Sequence, residues 1–192
     1  MEWLLEIDRS ILIFINGLNF PVLDSVMLIF TARAPWIPLY LAILAFIIYR
    51  YGFKEKRPLL ALSIVFAAVA TFALTDIGSS FIKDLFQRLR PGHDPSLEGI
   101  IRLLDGKGGL YGFVSSHAAN VFGLATITSL LFRNNRYTIP IFIWAFLVSY
   151  SRVYVGRHFP SDVIFGALFG YIAGYLFYRI VDSKLIRRIT KK

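Results

Sequence analysis

The sequence predicts an all-α fold, a polytopic bundle of transmembrane helices. Of its 192 residues 56% are hydrophobic and only 17% are charged, whereas soluble domains usually carry about 25% charged residues. The charges are also segregated, because long uncharged runs cover 34–49, 58–75, 118–132, 137–151 and 163–178. A soluble helical protein with five such runs would have almost no polar surface left, so a membrane protein is the better interpretation.

The N-terminal part, residues 1–33, predicts two short helices. Residues 3–16 are first amphipathic and then apolar, Asn16-Gly17 interrupts the pattern, and Pro21 opens a second apolar segment that ends at Thr31. Each segment is shorter than the roughly 20 residues that cross a bilayer, so we expect two interfacial helices on the outer face. The alternative is a sixth span within 1–33, which would place the N-terminus inside.

The rest of the chain predicts five spans. Each uncharged run is slightly short of a full span, but flanking Lys and Arg side chains can snorkel to the interface. We predict one integral-membrane domain over 1–192, made of the interfacial segment 1–33, the bundle 34–182 and a basic cytoplasmic tail 183–192. The spans are expected at 35–50, 58–83, 117–133, 137–153 and 161–180.

The positive charge predicts the orientation. Three basic segments, 50–57, 133–136 and 179–192, more than account for the net charge of +9. They lie at alternate ends of the predicted spans and therefore share one side, which the positive-inside rule makes cytoplasmic. The C-terminus is then cytoplasmic and the N-terminus is outside. Because the charge is distributed in this way, we expect no nucleic-acid partner.

The first cluster of ionisable residues runs from Lys83 to Pro91, at the outer end of the second span. Asp76, Lys83 and Arg90 are seven residues apart, almost two helical turns, and so form one stripe. Pro91 disfavours helical geometry at Arg90, where we expect the helix to end. The two cations could bind different oxygens of one phosphoryl group, or could equally belong to an interfacial belt.

Two neighbours of these cations carry separate predictions. Arg88 lies off the stripe and is expected to meet lipid headgroups. Asp76 is an ionisable residue inside the span, and it is either a support for the site or a partner in an ordinary interhelical hydrogen bond.

The second cluster, Ser115-Ser116-His117, opens the third span from the same side. Either serine could be the N-cap, and the free N–H groups at a helix N-terminus favour an anion. A histidine at this position can donate a proton to a departing oxygen.

The third cluster joins Arg152, His158 and Asp162 at the start of the last span. Pro160 suits the first turn of a helix, so Asp162 can reach back and accept the ring N–H of His158. The other ring nitrogen is then free to attack phosphorus. Arg152 can bind a phosphate through two parallel hydrogen bonds.

Together the clusters resemble the signatures of the PAP2 (type 2 phosphatidic acid phosphatase) superfamily, KxxxxxxRP, PSGH and SRxxxxxHxxxD. The first is complete from Lys83 to Pro91 and the third from Ser151 to Asp162. The second departs from the pattern, because Val114 replaces proline and Ser116 replaces glycine. This departure makes the hydrogen bond from the Ser116 N–H less secure than the other contacts.

The resemblance implies a metal-independent phosphatase without a cofactor. His158 would be the nucleophile that forms a phosphohistidine, Asp162 would orient it, and His117 would be the general acid and base. The phosphate would be bound by Lys83, Arg90, Ser115, Ser116 and Arg152.

The resemblance also implies a lipid phosphate substrate in a bacterial cytoplasmic (inner) membrane, with the active site facing the periplasm or cell exterior. We expect undecaprenyl diphosphate or a broad range of phospholipid phosphates; the alternatives are lipid A 1-phosphate and phosphatidylglycerol phosphate. From other classes, a non-catalytic transporter or scaffold and a zinc hydrolase using His117, His158 and Asp162 remain open. The chain has no cysteine and therefore no thiolate metal site. The sequence does not predict the oligomeric state.

Overall fold

The computed structural model describes residues 2–182, so the predicted tail 183–192 lies outside the described residues. Within that range the chain forms seven α-helices and no strand. The third is lengthened by a 3₁₀ turn at Ala34–Trp36 and a π-helical stretch at Ile48–Lys54. The helices are α1 (Glu2–Asn16), α2 (Pro21–Thr31), α3 (Ile37–Ile47), α4 (Pro58–Phe86), α5 (Ser116–Phe132), α6 (Asn135–Tyr154) and α7 (Pro160–Val181).

The all-α membrane bundle is confirmed, and a helix lies at each of the five predicted spans. By length and composition, three described helices can cross a membrane on their own, Ala34–Lys54, Pro58–Phe86 and Pro160–Val181. A fourth is added if α1 and α2 count as one bent span. Helix α5 is apolar but has only 17 residues. It packs against α4, α6 and α7, which explains why most of its residues are buried.

The N-terminal part forms two helices, as predicted, rather than one straight span. Helices α1 and α2 are bent by 116° relative to each other. Leu12 of α1 is fully buried in a cluster with Leu97, Val153 and Phe159. The end of α1 is anchored to the end of α6, because Asn16 Nδ2 donates to the carbonyl oxygen of Tyr154 at 2.7 Å.

Helices α5 and α7 pack closely because of a glycine stripe. Gly166, Gly170 and Gly174 recur every fourth residue on α7, and a Cβ at any of them would lie 2.1–2.6 Å from a carbonyl oxygen of α5 or its N-cap. Only glycine allows the two backbones this approach. The N-terminal ends of both helices meet as a result, and Ser115 N donates to Asp162 O at 2.9 Å.

Helix α4 ends earlier than predicted. It stops at Phe86, where Gln87 adopts a left-handed conformation (φ 48°), and does not continue to Arg90. The predicted stripe is therefore wrong beyond Lys83, because Arg90 lies in an extended segment. The backbone N–H of Arg90 donates to Leu110 O at 3.0 Å.

The segment between α4 and α5 folds across this end of the bundle. It is held to the N-terminal helices by Arg102, whose Nη1 donates to Asp24 Oδ2 at 2.9 Å and whose Nη2 donates to Asn16 O at 3.0 Å. Further along, Asp105 reaches Arg157, which lies just after α6. The segment thus covers the region where α4 and α6 end and α5 and α7 begin.

Candidate active site

A polar cavity of about 280 Å³ lies under this segment. Its walls come from the end of α2 and the residues after it, the segment itself, the start of α5, the end of α6 and the loop between α6 and α7. The residues lining it are Thr31, Arg33, Arg90, Asp105, Gly109, Ser116, His117, Arg152, Arg157 and His158.

Five of the residues predicted from the sequence line this cavity, namely Arg90, Ser116, His117, Arg152 and His158. A sixth, Lys83, is in contact with the wall, because its Nζ donates to Ser116 Oγ at 2.5 Å. The three sequence clusters therefore meet around one space, although they are up to 79 residues apart in the chain.

His158 is held from behind by Asp162. The two side chains are almost completely buried, and His158 Nδ1 lies 3.3 Å from Asp162 Oδ2. The backbone N–H of Phe159 donates to the same carboxylate oxygen at 3.1 Å. A carboxylate in this position accepts the Nδ1 proton, so that Nε2 keeps the lone pair.

The surroundings of His158 favour its neutral form. Burial of the ring, together with the positive charges of Arg152 and Arg90, lowers the pKa of His158 well below its usual range. A neutral imidazole is the form that can act as a nucleophile.

Arg88 supports Asp162, and the prediction that it meets lipid headgroups is wrong. Its Nη1 donates to Asp162 Oδ1 at 2.8 Å and its Nη2 donates to Asp8 Oδ2 at 2.6 Å. The guanidinium also lies over the ring of Phe159, 4.2 Å from its centroid. Arg88 turns inward because α4 has already ended at Phe86, so helical register no longer fixes its direction.

Asp8 adds a second layer behind this pair. It is buried on α1, and its Oδ1 accepts the backbone N–H of Ser161 at 2.8 Å. Its Oδ2 accepts the Ser161 hydroxyl at 2.6 Å. The first turn of α7, which carries Asp162, is thereby fixed to the N-terminal helix.

The opposite side of the cavity is rich in cations. Arg152 is buried and donates from Nη1 to Thr31 Oγ1, while its Nε has no hydrogen-bond partner among residues 2–182. Asp105 Oδ2 lies 2.9 Å from Arg157 Nε and 3.6 Å from Arg152 Nη1. In this arrangement the Asp105 carboxylate occupies the place of an anion beside two arginines.

His117 is held much less firmly than His158. It is the second residue of α5, and its ring makes no side-chain hydrogen bond within the described part of the chain. It lines both the polar cavity and a smaller neighbouring cavity of about 130 Å³. The ring is thus open to whatever molecule enters either space.

Besides Lys83 and Asp162, two further predicted residues lie outside the cavity wall. Ser115 is the N-cap of α5, and its Oγ accepts the N–H of Ala118 at 3.5 Å. Asp76 accepts a hydrogen bond from Asn120 Nδ2 at 3.3 Å. This contact between α4 and α5 is the interhelical hydrogen bond that the sequence left as the alternative for Asp76.

Sequence reasoning missed Arg33, Asp105 and Arg157 on the wall. It also missed Asp8 behind Arg88. Arg157 directly precedes His158, so its place inside the third motif was an available signal. Asp8 and Leu12 are four residues apart and so lie on the same face of α1. This spacing could have identified Asp8 as part of the buried face of the helix. Among residues 2–182 no group of three or more His, Cys, Asp or Glu side chains could hold a metal ion.

The family comparison agrees with this arrangement. The PAP2 superfamily matches residues 64–186, a stretch that contains all three motifs and most of the cavity. The chain belongs to the PAP2 superfamily. The resemblance seen in the motifs is therefore confirmed, and the protein is a PAP2-type lipid phosphatase, a hydrolase with membrane-spanning helices.

Individual PAP2 relatives extend the similarity over almost the whole chain. A lipid A 4′-phosphatase of Porphyromonas gingivalis is 38% identical over 182 residues, which cover 94% of this chain and 75% of the relative. An undecaprenyl-diphosphatase of Bacillus subtilis is 29% identical over 193 residues, 93% of each chain.

The fold is also that of a solved PAP2 protein. The crystal structure of a PAP2-type phosphatidylglycerolphosphate phosphatase from Bacillus subtilis superposes with a TM-score of 0.72, over 96% of this chain and 89% of the other. At 22% sequence identity, this likeness concerns the fold alone.

Proposed function

We propose that the protein hydrolyses a phosphomonoester or diphosphate on a lipid through a phosphohistidine at His158, without a metal ion. The observation that carries the proposal is the buried His158–Asp162 pair: its contact at 3.3 Å favours the tautomer with an unprotonated Nε2, at a wall shared with four arginines. A neutral nucleophile among cations suits attack on an anionic phosphoryl group.

In the first step His158 Nε2 attacks phosphorus while Asp162 stabilises the positive charge that develops on the ring. Arg90 and Arg152 bind the phosphoryl oxygens, whose charge increases in the transition state. Each such contact contributes roughly 3–4 kcal/mol of transition-state stabilisation. Lys83, which donates to Ser116 on the wall, adds a further positive charge near the phosphoryl group. The buried Ser115 caps the N-terminus of α5 and so positions Ser116 and His117.

His117 protonates the departing oxygen in the same step. The resulting base then removes a proton from water, which attacks the phosphohistidine and releases inorganic phosphate. A residue with both tasks needs access to the leaving group and to water, which is consistent with a ring that has no fixed partner.

For the substrate we propose undecaprenyl diphosphate or a broader set of phospholipid phosphates. The similarity to an undecaprenyl-diphosphatase over 93% of both chains supports it. A phosphate of lipid A is the second candidate, favoured by the higher identity, 38%, to a lipid A 4′-phosphatase. Phosphatidylglycerol phosphate is a further alternative.

We propose that the active site faces the periplasm or cell exterior of a bacterial cytoplasmic membrane. The basic segments 50–57 and 133–136 lie at the opposite ends of the helices from the cavity. Because positive segments remain in the cytoplasm, the cavity then faces outward and the C-terminus inward.

The test is phosphate release in detergent with EDTA, for wild type, His158→Ala and the control His93→Ala. The panel contains undecaprenyl diphosphate, phosphatidylglycerol phosphate, phosphatidic acid and lipid A. We expect wild type and the control to be active and His158→Ala to lose at least about a thousandfold in turnover.

The other outcomes are decisive in different ways. Equal release by wild type and His158→Ala would rule out the nucleophile. Loss of wild-type activity in EDTA would favour the zinc hydrolase, and no release from any lipid would favour the transporter or scaffold. The rate order among active lipids identifies the preferred substrate.

A further inference from the structure

The polar cavity borders a second space. The neighbouring cavity of about 130 Å³ shares Arg33 and His117 with it. Its remaining walls are mostly apolar or aromatic and include Trp36, Tyr40 and Phe72. The environment therefore changes from cationic to apolar at the position of Arg33 and His117.

The second space continues into an apolar groove between α3, α4 and α5. This groove, of about 270 Å³, shares Tyr40, Phe72, Asn120 and Val121 with the side cavity. Its other walls are aliphatic, Ile43, Leu44, Ile47, Val65, Ala68, Val69 and Leu124. Going outward from His158, the wall is thus first rich in cations, then carries a single arginine where the two cavities meet, and is finally lined by apolar side chains.

The location of His117 indicates which part of a substrate lies at the junction. A general acid must be within hydrogen-bond distance of the oxygen that it protonates. Because His117 lines both spaces, a departing oxygen protonated by His117 would lie at their junction. The group attached to that oxygen then extends into the side cavity and away from His158.

Arg33 is the cation at this junction. It follows Ala32, the C-cap of α2, and it is exposed. Within residues 2–182 it forms no ion pair and no side-chain hydrogen bond. Arg152 and Arg157, in contrast, both lie beside Asp105. A guanidinium without a partner, next to the departing oxygen, matches a second phosphate in geometry and charge.

We propose that Arg33 binds an anionic group on the leaving side of the substrate, the proximal phosphate of a lipid diphosphate, whose hydrocarbon chain lies in the groove between α3 and α4. This inference rests on the proposed function and narrows it to diphosphates. His158 Nε2 bonds to the distal phosphorus, and the bond from that phosphorus to the bridging oxygen breaks. The bridging oxygen keeps the electron pair, takes the proton from His117 and leaves as the lipid monophosphate.

The second half of the reaction restores both histidines. Water loses a proton to His117 and attacks the phosphohistidine, which releases inorganic phosphate and returns Nε2 to its unprotonated state. Arg33 remains bound to the lipid monophosphate until that product leaves along the groove.

The experiment compares two lipids that differ by one phosphate. The kcat/KM values of wild type, Arg33→Gln and the control Arg136→Gln are measured with undecaprenyl diphosphate and undecaprenyl monophosphate. Arg136 is exposed at the start of α6, at the other end of the bundle. We expect the kcat/KM of Arg33→Gln for the diphosphate to fall at least about tenfold, the effect of losing one charged hydrogen bond. For the monophosphate we expect it to fall less than about twofold.

Equal losses with both lipids, or no loss with either, would overturn the role of Arg33. A wild type that hydrolyses the monophosphate at least as well as the diphosphate would overturn the inference while leaving the proposed function intact. A wild type that hydrolyses neither of these two nor any other lipid phosphate would overturn both.

The groove is tested separately with Ala68→Trp, which fills it, and Ala70→Trp on another face of α4 as the control. We expect the kcat/KM of Ala68→Trp for undecaprenyl diphosphate to fall at least about tenfold, because the indole occupies the groove. Its activity on geranyl diphosphate should be kept, because that chain is too short to need the groove. Retained activity on the short substrate also shows that the variant is folded. Equal losses on both chain lengths, or none, would contradict this placement of the chain.

Discussion

His158 and His117 line the same cavity, but the protein holds them in different ways. His158 is buried and fixed by Asp162, which is itself fixed by Arg88 and, beyond it, by Asp8. His117 has no side-chain partner among the described residues and is in contact with two open spaces. The difference matches the two roles proposed for them, because a nucleophile benefits from one fixed geometry while an acid–base group must meet both a leaving group and water.

The largest expected effect in this comparison comes from removing the charge that orients His158. We expect Asp162→Asn to lower turnover at least about a thousandfold, because an amide cannot stabilise the ring charge or select the reactive tautomer. Turnover of a lipid phosphate by the purified variant measures this.

The control is Asp84→Asn, which makes the same change on an exposed residue of α4. A loss below about tenfold for Asp162→Asn, in a protein that melts like wild type, would mean that His158 is not oriented by Asp162.

The next largest effect is expected from Arg88 and Asp8, which hold Asp162 in place. Arg88→Gln and Asp8→Asn are each expected to lower turnover about tenfold to a hundredfold, the range for one charged hydrogen bond. Because both act through Asp162, the double variant should be little worse than the more damaging single variant. The test is a double-mutant cycle, in which kcat and KM are measured for wild type, the two single variants and the double variant.

Glu6→Gln, an exposed acid on the same helix as Asp8, is the matched control and should behave like wild type. Fully additive losses in the double variant would show that Arg88 and Asp8 act independently.

The smallest expected effect is on the open side of the cavity. Asp105 lies beside Arg157 and Arg152, at 2.9 and 3.6 Å, so it competes with a phosphate for them. We expect Asp105→Asn to lower the inhibition constant of vanadate about fivefold, because one partly exposed ion pair contributes about 1 kcal/mol.

Inhibition curves for wild type, Asp105→Asn and Asp94→Asn check this expectation. Asp94 lies in the same segment but pairs with Arg9, so its variant should match wild type. An inhibition constant that is unchanged or higher in Asp105→Asn would mean that Asp105 does not compete with the anion.

Much of the fold was predictable because the bilayer imposes a simple pattern. Helices occur at all five predicted spans, and α2 begins at Pro21 and ends at Thr31 as predicted. The end of α4 was misplaced, because Pro91 suggested a stop near Arg90 whereas Gln87 leaves the helical conformation first. The backbone just after α4 is extended because it hydrogen-bonds to residues 110–112. The pattern of residues near Pro91 does not reveal such distant partners.

The candidate site was predictable where one motif holds all the partners. Asp162 lies on the first turn of α7 and His158 just before that helix, so their spacing predicted the contact. Arg88 was misassigned because its partners, Asp8 and Asp162, are 80 and 74 residues away. Arg33 was missed for the same reason, since its proposed role depends on a cavity whose wall joins the ends of α2 and α6.

The most direct test of the account uses His117→Ala and 4-nitrophenyl phosphate radiolabelled at phosphorus, because the acidic phenol of this substrate leaves as its anion and needs no proton. Without His117 to activate water, the second step should be slow, so we predict one burst of phenol per protein and a stable label on His158, located by mass spectrometry. The variant that lacks both histidines should stay unlabelled. Steady phenol release without any labelled protein, or a label on a residue other than His158, would contradict the account.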